Sequence, residues 1–276
     1  MDITEIKDRV KNVMSETQEE VRLSGNAKDY EYFMYSRDRF ERMAESMLSH
    51  VPEKSTVLNI GSHLLHSSMI LVNLGYEVTG VDVSVFWDID YVKEREVKYG
   101  VQKIMEDDLE NFESMRHHKI TYDVIIFAEI LEHITFNPIK MWNRIYNLSE
   151  DGGLIYLTTP NSMALPTVMR ALKDILFFNG IGTKVDDIFS HVTYGHHWKE
   201  YSKKEIKRYF KSLSIDFKVK VKHFSYTNYS EGGVRPWLWH QLTLLGLRTY
   251  FFAPALEVFI DVNKSQGFML KAPDYN

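Results

Sequence analysis

The chain has 276 residues, 44% of them hydrophobic and 26% charged, a composition that excludes a disordered chain or a fibre. Its 33 Lys and Arg against 38 Asp and Glu leave a formal charge of −5, so no general positive field attracts a phosphate backbone and nucleic acid is an unlikely partner. Cysteine is absent, which removes disulfides, thiolate nucleophiles, iron–sulfur clusters and cysteine zinc sites together.

Residues 1–30 are charged throughout, with no signal-like apolar run, and no stretch is apolar for the length of a membrane span. A soluble, cytoplasmic protein without a transmembrane segment is expected. Ile3, Ile6, Val10, Val13 and Met14 recur at helical steps and predict a first amphipathic helix. Residues 26–29 read as a break. A second helix is expected over residues 32–49, ended by Pro52. Short apolar strands follow at residues 56–60, 77–81, 122–127 and 153–158, separated by helices at 69–74 and 139–148. Such alternation predicts a parallel sheet covered on both faces. Gly61, Asp82, Glu129 and Pro160 fall just past strand ends, where ligands bind in sheets of this kind, and are expected to ring one crevice. Beyond Pro160 the pattern predicts a helix at 165–178 and a long loop at 179–201. A helix at 202–213 follows, opened by a Ser202/Glu205 capping box. Then come a strand at 215–221, an apolar helix at 236–252 and a late strand at 256–262. The apolar helix carries Trp237 and Trp239 but lacks a basic polar face. Burial against the sheet is therefore expected over contact with a membrane. No internal repeat or linker is present.

The turn Thr56-Val-Leu-Asn59-Ile-Gly61-Ser62 lies between a strand and a helix, and Asp82 follows Gly61 by 21 residues. That arrangement lets backbone N–H groups approach a cofactor and an acid accept ribose hydroxyls. The order of elements resembles that of the class I S-adenosylmethionine (SAM) methyltransferases. Asn59 stands where their first motif has an acid, and His63 and Leu65 stand where it has its second and third glycines. Further motifs carry the resemblance. Tyr122-Asp-Val-Ile-Ile-Phe-Ala128-Glu129-Ile-Leu-Glu132-His133 resembles the fourth-strand motif. Glu106-Asp-Asp108-Leu109 resembles the acid–apolar pair after the third strand, and Asp151-Gly-Gly-Leu-Ile-Tyr-Leu-Thr-Thr-Pro160-Asn161 the fifth-strand signature. The resemblance implies SAM held by Asn59, Gly61, Ser62, Asp82, Val83, Asp108, Leu109, Ala128 and Glu129. A dinucleotide fits less well, because its pyrophosphate needs the missing glycines.

Glu129, Glu132 and His133 have i, i+3, i+4 spacing, so a helix starting at the strand end would align them on one face. Ile130, Leu131 and Ile134 would then face the core. Downstream, Gly195-His-His197-Trp-Lys-Glu200-Tyr201-Ser202 resembles a segment of sugar and small-molecule O-methyltransferases, and also part of the Mg²⁺ site of RNA 3′-end 2′-O-methyltransferases. By that resemblance Glu129, Glu132, His133 and His197 are candidate ligands of a divalent metal, and His133, His197 and Glu129 candidate catalytic groups. Glu129 could instead contact the methionine part of SAM. His63 and His66 could line the cofactor site or pack at a helix start, whereas His191 and His196 read as loop residues and His117-His118 as a solvated turn.

These features predict a single methyltransferase domain over residues 1–276. Its parts would be an N-terminal helical cap (1–50), a SAM-binding core (51–160) and an acceptor-side decoration with the last strands and a helical, aromatic cap (161–276). The fold class is α/β, a Rossmann-like seven-stranded, mostly parallel sheet with helices on both faces. By the resemblance its last strand, at 256–262 or 267–270, is antiparallel. The expected reaction is O-methylation of a saccharide, lipid-linked glycan or other small hydroxylated acceptor, as in carbohydrate biosynthesis. Two alternatives stand beside it: an RNA 2′-O-methyltransferase, and a SAM-fold scaffold subunit without catalysis. The acceptor's identity and the oligomeric state are left open.

Overall fold

The computed structural model describes residues 1–116, 120–183, 188–189, 196–225, 234–249 and 252–273. His117, His118, His191 and Gly195 lie outside them, as do Tyr250 and Phe251 of the aromatic cap. Seven strands form one sheet in the order β3-β2-β1-β4-β5-β7-β6. The chain divides into two compact units, Met1–Ile126 with Arg144–Leu154, and Phe127–Asn143 with Ile155–Asn276.

In the first unit, α1 (Ile3–Leu23) starts at Asp2, whose side chain accepts the Glu5 N–H, and buries Ile6, Val10, Val13 and Met14 as their spacing requires. Helix α2 (Ala27–His50) starts earlier than the apolar pattern suggests. The expected break is its cap: Asn26 accepts the N–H of Asp29. Strand β1 (Thr56–Ile60) pairs in parallel with β2 (Glu77–Asp82), Thr56 opposite Glu77. Helix α3 (His66–Asn73) connects them. Short α4 (Ser84–Trp87) and α5 (Asp90–Tyr99) follow, then β3 (Gln102–Met105), which pairs in parallel with β2. Apolar periodicity does not reveal these last three elements. Helix α5 buries only Val92 and Arg95, and β3 is a half-exposed edge of four residues.

Strand β4 (Tyr122–Ala128), α6 (Ile139–Leu148) and β5 (Ser149–Pro160) come next. In the second unit, α7 (Leu165–Leu176) is followed by α8 (Lys203–Leu213), which carries the expected capping box. Strand β6 (Phe217–Phe224) runs antiparallel to β7 (Ala255–Val262), with Phe217 opposite Val262. The late antiparallel strand is therefore the one around 256–262, and residues 267–270 form none. Helix α9 (Val234–Arg248) leaves its residues from His240 on half-buried or exposed, apart from Gly246. It packs on α7, where a Cβ at Gly246 would meet Leu165 Cβ at 3.4 Å, and its Leu244 and Leu245 are exposed. A helix that leans on another helix by a small residue keeps only a narrow strip of contact. No described helix is long and apolar enough to cross a membrane.

Candidate active site

The loop after β1 keeps a glycine backbone without its glycines. Gly61 has φ 75°, and His63 and Leu65 also hold left-handed backbone at φ 48° and 66°. Side chains rarely adopt that region, at a strain of about 1–2 kcal/mol each. Tertiary contacts hold the loop in place: the Gly61 and Ser62 N–H groups donate to the Val81 carbonyl at 2.8 and 3.2 Å. Asn59 is buried, with its amide donating to Ser67 Oγ and Ser68 Oγ at the start of α3 (2.8 and 2.9 Å). Ser62 is also buried, its hydroxyl donating to the Asn59 carbonyl (2.6 Å). These two side chains brace the loop. Gly80 is needed by the same packing, because a Cβ there would lie 2.8 Å from Ser62 Oγ.

Asp82 closes β2. Its carboxylate accepts the His63 N–H at 2.5 Å and the Val83 N–H at 2.7 Å. Burial nevertheless raises its pKa to about 6, against the opposing pull of those two bonds. The His63 ring stands 4.6 Å from Tyr32 and 4.2 Å from Phe86. Burial keeps it neutral by lowering its pKa to about 4. Phe86 was not singled out in the sequence as a neighbour of this loop, and only its aromatic character hinted at it. Asp108 is exposed and accepts from the Asn111 N–H and side-chain amide (3.2 and 2.7 Å), with Leu109 half-buried beside it. The buried acid of that turn is Glu106, which accepts from the Asp108 N–H and from both donors of Ser114.

Past β4 the expected helix does not form. Ala128 ends the strand, Glu129 takes left-handed backbone (φ 55°) with its N–H donating to the Thr158 carbonyl (2.9 Å), and a single 3₁₀ turn covers Leu131–His133. Glu129, Glu132 and His133 therefore do not share a helix face. Glu132 is fully buried beside Leu131, whereas Ile130 and Ile134 are only half-buried. The cause is tertiary: Thr159 Oγ1 donates to Glu132 Oε2 (3.0 Å), and the Trp198 N–H donates to the Glu132 carbonyl (2.7 Å). Those bonds replace the ones a helix would have supplied.

The same turn brings His133 and His197 together, with ring centres 5.0 Å apart. One ligand atom each from Glu132, His133 and His197 lies within 4.8 Å of the others, and Glu129 is outside this group. His133 Nδ1 bonds to the His196 carbonyl at 2.8 Å, so Nδ1 carries the proton and Nε2 keeps its lone pair. Burial lowers the His133 pKa, opposed by that carbonyl, and the neighbouring His197 lowers it further. His197 Nδ1 lies 3.2 Å from Glu200 Oε1. His196 lies in a loop, as expected, and is buried against Trp198. His133 Nε2 lies 3.9 Å from Glu132 Oε1, and a neutral imidazole with one nitrogen oriented can accept a proton or bind a cation through the other.

A comparison with curated protein sequences gives no match. Among solved structures, a SAM-dependent methyltransferase from Archaeoglobus fulgidus is 15% identical with a TM-score of 0.52, over 84% of this chain and 99% of that one. The plantazolicin methyltransferase BpumL, solved with a desmethyl-plantazolicin analogue and SAH, is 15% identical with a TM-score of 0.50, over 94% and 100%. The CurJ carbon methyltransferase is 14% identical with a TM-score of 0.50 over 81% of this chain, which spans about half (53%) of that protein. These likenesses concern the fold. A family profile described as a methyltransferase domain matches residues 33–214. That match runs from α2 through the loop after β1 to the end of α8, well over half of the chain, and the chain belongs to the methyltransferase-domain family.

Proposed function

We propose that this chain is a single-domain SAM-dependent methyltransferase that O-methylates a saccharide or other small hydroxylated acceptor, with residues 161–276 as its acceptor side. The observation that carries the SAM reading is the Asp82 carboxylate closed over a left-handed Gly61–His63–Leu65 loop. SAM supplies an electrophilic methyl group on a sulfonium. Asp82 accepts the ribose hydroxyls, and the backbone of Gly61, Ser62 and Val83 lines the nucleoside. Asp108 and Leu109 hold adenine by its amino group and ring face, while Ala128 and Glu129 border the methionine end. His133 Nε2, which faces the Glu132 carboxylate at 3.9 Å, would take the acceptor's proton, and bound SAM would supply the methyl group that the acceptor oxygen receives. Holding the reactants in line supplies most of the acceleration.

The saccharide acceptor is supported by the His197-Trp-Lys-Glu200-Tyr201-Ser202 run, in which Tyr201 bridges to Asn161 just past β5. A second reading gives Glu132, His133 and His197 to a divalent cation, supported by the convergence of their ligand atoms. Mixed carboxylate and imidazole donors suit Zn²⁺ or Mn²⁺. The cation would then lower the acceptor hydroxyl's pKa, and His133 would be a ligand instead of a base.

Calorimetry with SAM tests the first reading. The parent should bind, and Asp82→Ala should bind at least tenfold more weakly, since each charge-assisted bond is worth about 1.5–3 kcal/mol. Equal binding by the two would misplace the site. Methyl transfer to a panel of saccharides, before and after exhaustive chelation, separates base from metal. Activity that survives chelation and is lost in His133→Ala supports the base. SAM binding with transfer only to RNA would support the RNA alternative, and binding with no transfer the scaffold.

A further inference from the structure

Helix α8 carries its charge on one side. It has five Lys and Arg against one acid, Glu205, in 11 residues. At 3.6 residues per turn, Lys203, Lys207, Lys211, Lys204 and Arg208 fill an arc of about 140° with no other side chain between them. Ile206, Phe210 and Leu213 form the buried face beside it, and Lys204, Lys207, Arg208 and Lys211 are exposed. Elsewhere the chain pairs helix cations with acids, as in Arg22 with Glu19 (2.6 Å), Arg37 with Glu41 (3.1 Å) and Lys93 with Asp88 (3.7 Å). Among the described residues no carboxylate pairs with Lys204, Lys207, Arg208 or Lys211, and Glu205 is taken up by Lys199 and the Ser202 cap. Like charges at i, i+4 repel, here Lys203 with Lys207, Lys207 with Lys211 and Lys204 with Arg208. The helix is therefore weakened by a face that an anion would relieve.

The position of the arc identifies the anion. Helix α8 and the turn with Glu132 and His133 belong to the same compact unit. The Lys199 N–H donates to the Glu132 carbonyl (3.3 Å), and its ammonium pairs with Glu205 in the first turn of α8 (2.9 Å). Lys199 thus joins the start of the arc to the turn that carries His133. We propose that the acceptor is an anionic saccharide with carboxylate or phosphate groups along its chain. Lys203, Lys204, Lys207, Arg208 and Lys211 hold those groups while one of its hydroxyls lies at His133. This rests on the saccharide reading above and names its chemical class. Two other polyanions fit less well. An anionic membrane needs apolar side chains beside the charges, and Glu205 and Ser212 flank the arc beyond Arg208 instead. Single-stranded RNA needs aromatic faces for its bases, and the aromatics of α8, Tyr209 and Phe210, both pack on Trp142.

Fluorescence anisotropy of labelled oligogalacturonate, phosphomannan fragments and neutral dextran, without SAM, tests the proposal. The parent should bind one or both acidic chains about tenfold more tightly than dextran, with the preference weakening as salt is raised. Which of the two it prefers separates carboxylate from phosphate. The arc variant, Lys204→Gln with Lys207→Gln and Lys211→Gln, should lose that preference with its far-UV spectrum unchanged, since glutamine forms helix about as well as lysine. Lys7→Gln with Lys11→Gln and Lys28→Gln removes the same charge from exposed positions of the other unit and should keep the preference. Equal binding of acidic and neutral chains, an arc variant that binds like the parent, or a control variant that loses as much would overturn the proposal. So would tighter binding to oligo-uridylate, which gives the arc to RNA, or a dimer that the arc variant abolishes, which gives it to a second copy. With the bound acidic chain as acceptor, the arc variant should raise KM about tenfold at unchanged kcat, and an equal KM would also overturn it. His133→Ala should bind the acidic chain like the parent. Arc-dependent binding without methyl transfer by the parent would therefore reject the saccharide reaction and leave the ligand class of the arc standing.

Discussion

Asp82 accepts two backbone N–H bonds, and yet burial lifts its pKa from 3.8 to about 6. The sign of the consequence follows from linkage. A carboxyl that protonates more readily in the fold than in the unfolded chain favours folding as pH falls from 6 towards 4, and costs up to about 3 kcal/mol above pH 6. The difference in melting temperature between parent and Asp82→Ala should therefore shift in the parent's favour as pH is lowered from 7.5 to 5. A difference that does not change with pH would refute this burial of the carboxyl. His63, at about 4, contributes with the opposite sign, since the unfolded imidazole protonates first. It is present in both proteins, so most of its contribution cancels. SAM affinity should fall across the same window, because protonation removes the charge from both ribose bonds. A residue that makes the empty protein less stable at neutral pH, placed where a ligand needs a charge, is expected at a binding site.

At the scale of elements, α2 owes its position to one buried network. Arg95 of α5 donates to both oxygens of Asp29 (3.2 and 2.5 Å) and to the Leu64 carbonyl (3.0 Å), while His66 Nε2 donates to Asp29 Oδ1 (2.8 Å). All three side chains are buried. Burial alone would raise the Asp29 pKa, but the bonds from His66 and Arg95 overcome it and leave it at about 2. Asp29→Ala leaves Arg95 buried and unpaired, so urea denaturation should show a loss of about 3–5 kcal/mol. Asp29→Leu combined with Arg95→Met should recover much of that loss. If the single variant cost less than 1 kcal/mol, the network would not be what anchors α2 to the cofactor loop. The 3₁₀ turn at Leu131–His133 is the other element that departs from expectation. The i, i+3, i+4 spacing implied one helix face shared by Glu129, Glu132 and His133, and that face does not form. Glu132 joined His133 and His197 by being drawn inward, and Glu129 was left aside by its left-handed backbone.

For the whole molecule, SAM binding to the folded state alone raises stability by RT ln(1 + [L]/Kd), about 2.7 kcal/mol at a hundredfold excess over Kd. A melting temperature raised by a few degrees with SAM, and left unchanged with an equal concentration of NADH, is the expected result. A larger response to NADH would favour a dinucleotide. Strands β1, β2 and β4 and their parallel character were legible from the amino-acid order and the late antiparallel strand from the family resemblance, whereas β3, the β6–β7 pairing and the strand order came only with the structure. Buried parallel strands are continuous apolar runs, and their ends carry the glycine and acids that a ligand needs. Caps such as Ser202 with Glu205 are equally local, since both partners lie within four residues. What the order of residues could not disclose depends on partners far away in the chain. His63 and Leu65 hold glycine geometry because the loop is bonded to Val81 and Asp82. Glu132 is buried because Thr159 and Trp198 reach it. The apolar stripe of α7 has the same helical period whether it faces core or solvent. Periodicity identifies an apolar face, and only the tertiary structure shows Asp174 buried with Met169, Leu172, Ile175 and Leu176 exposed.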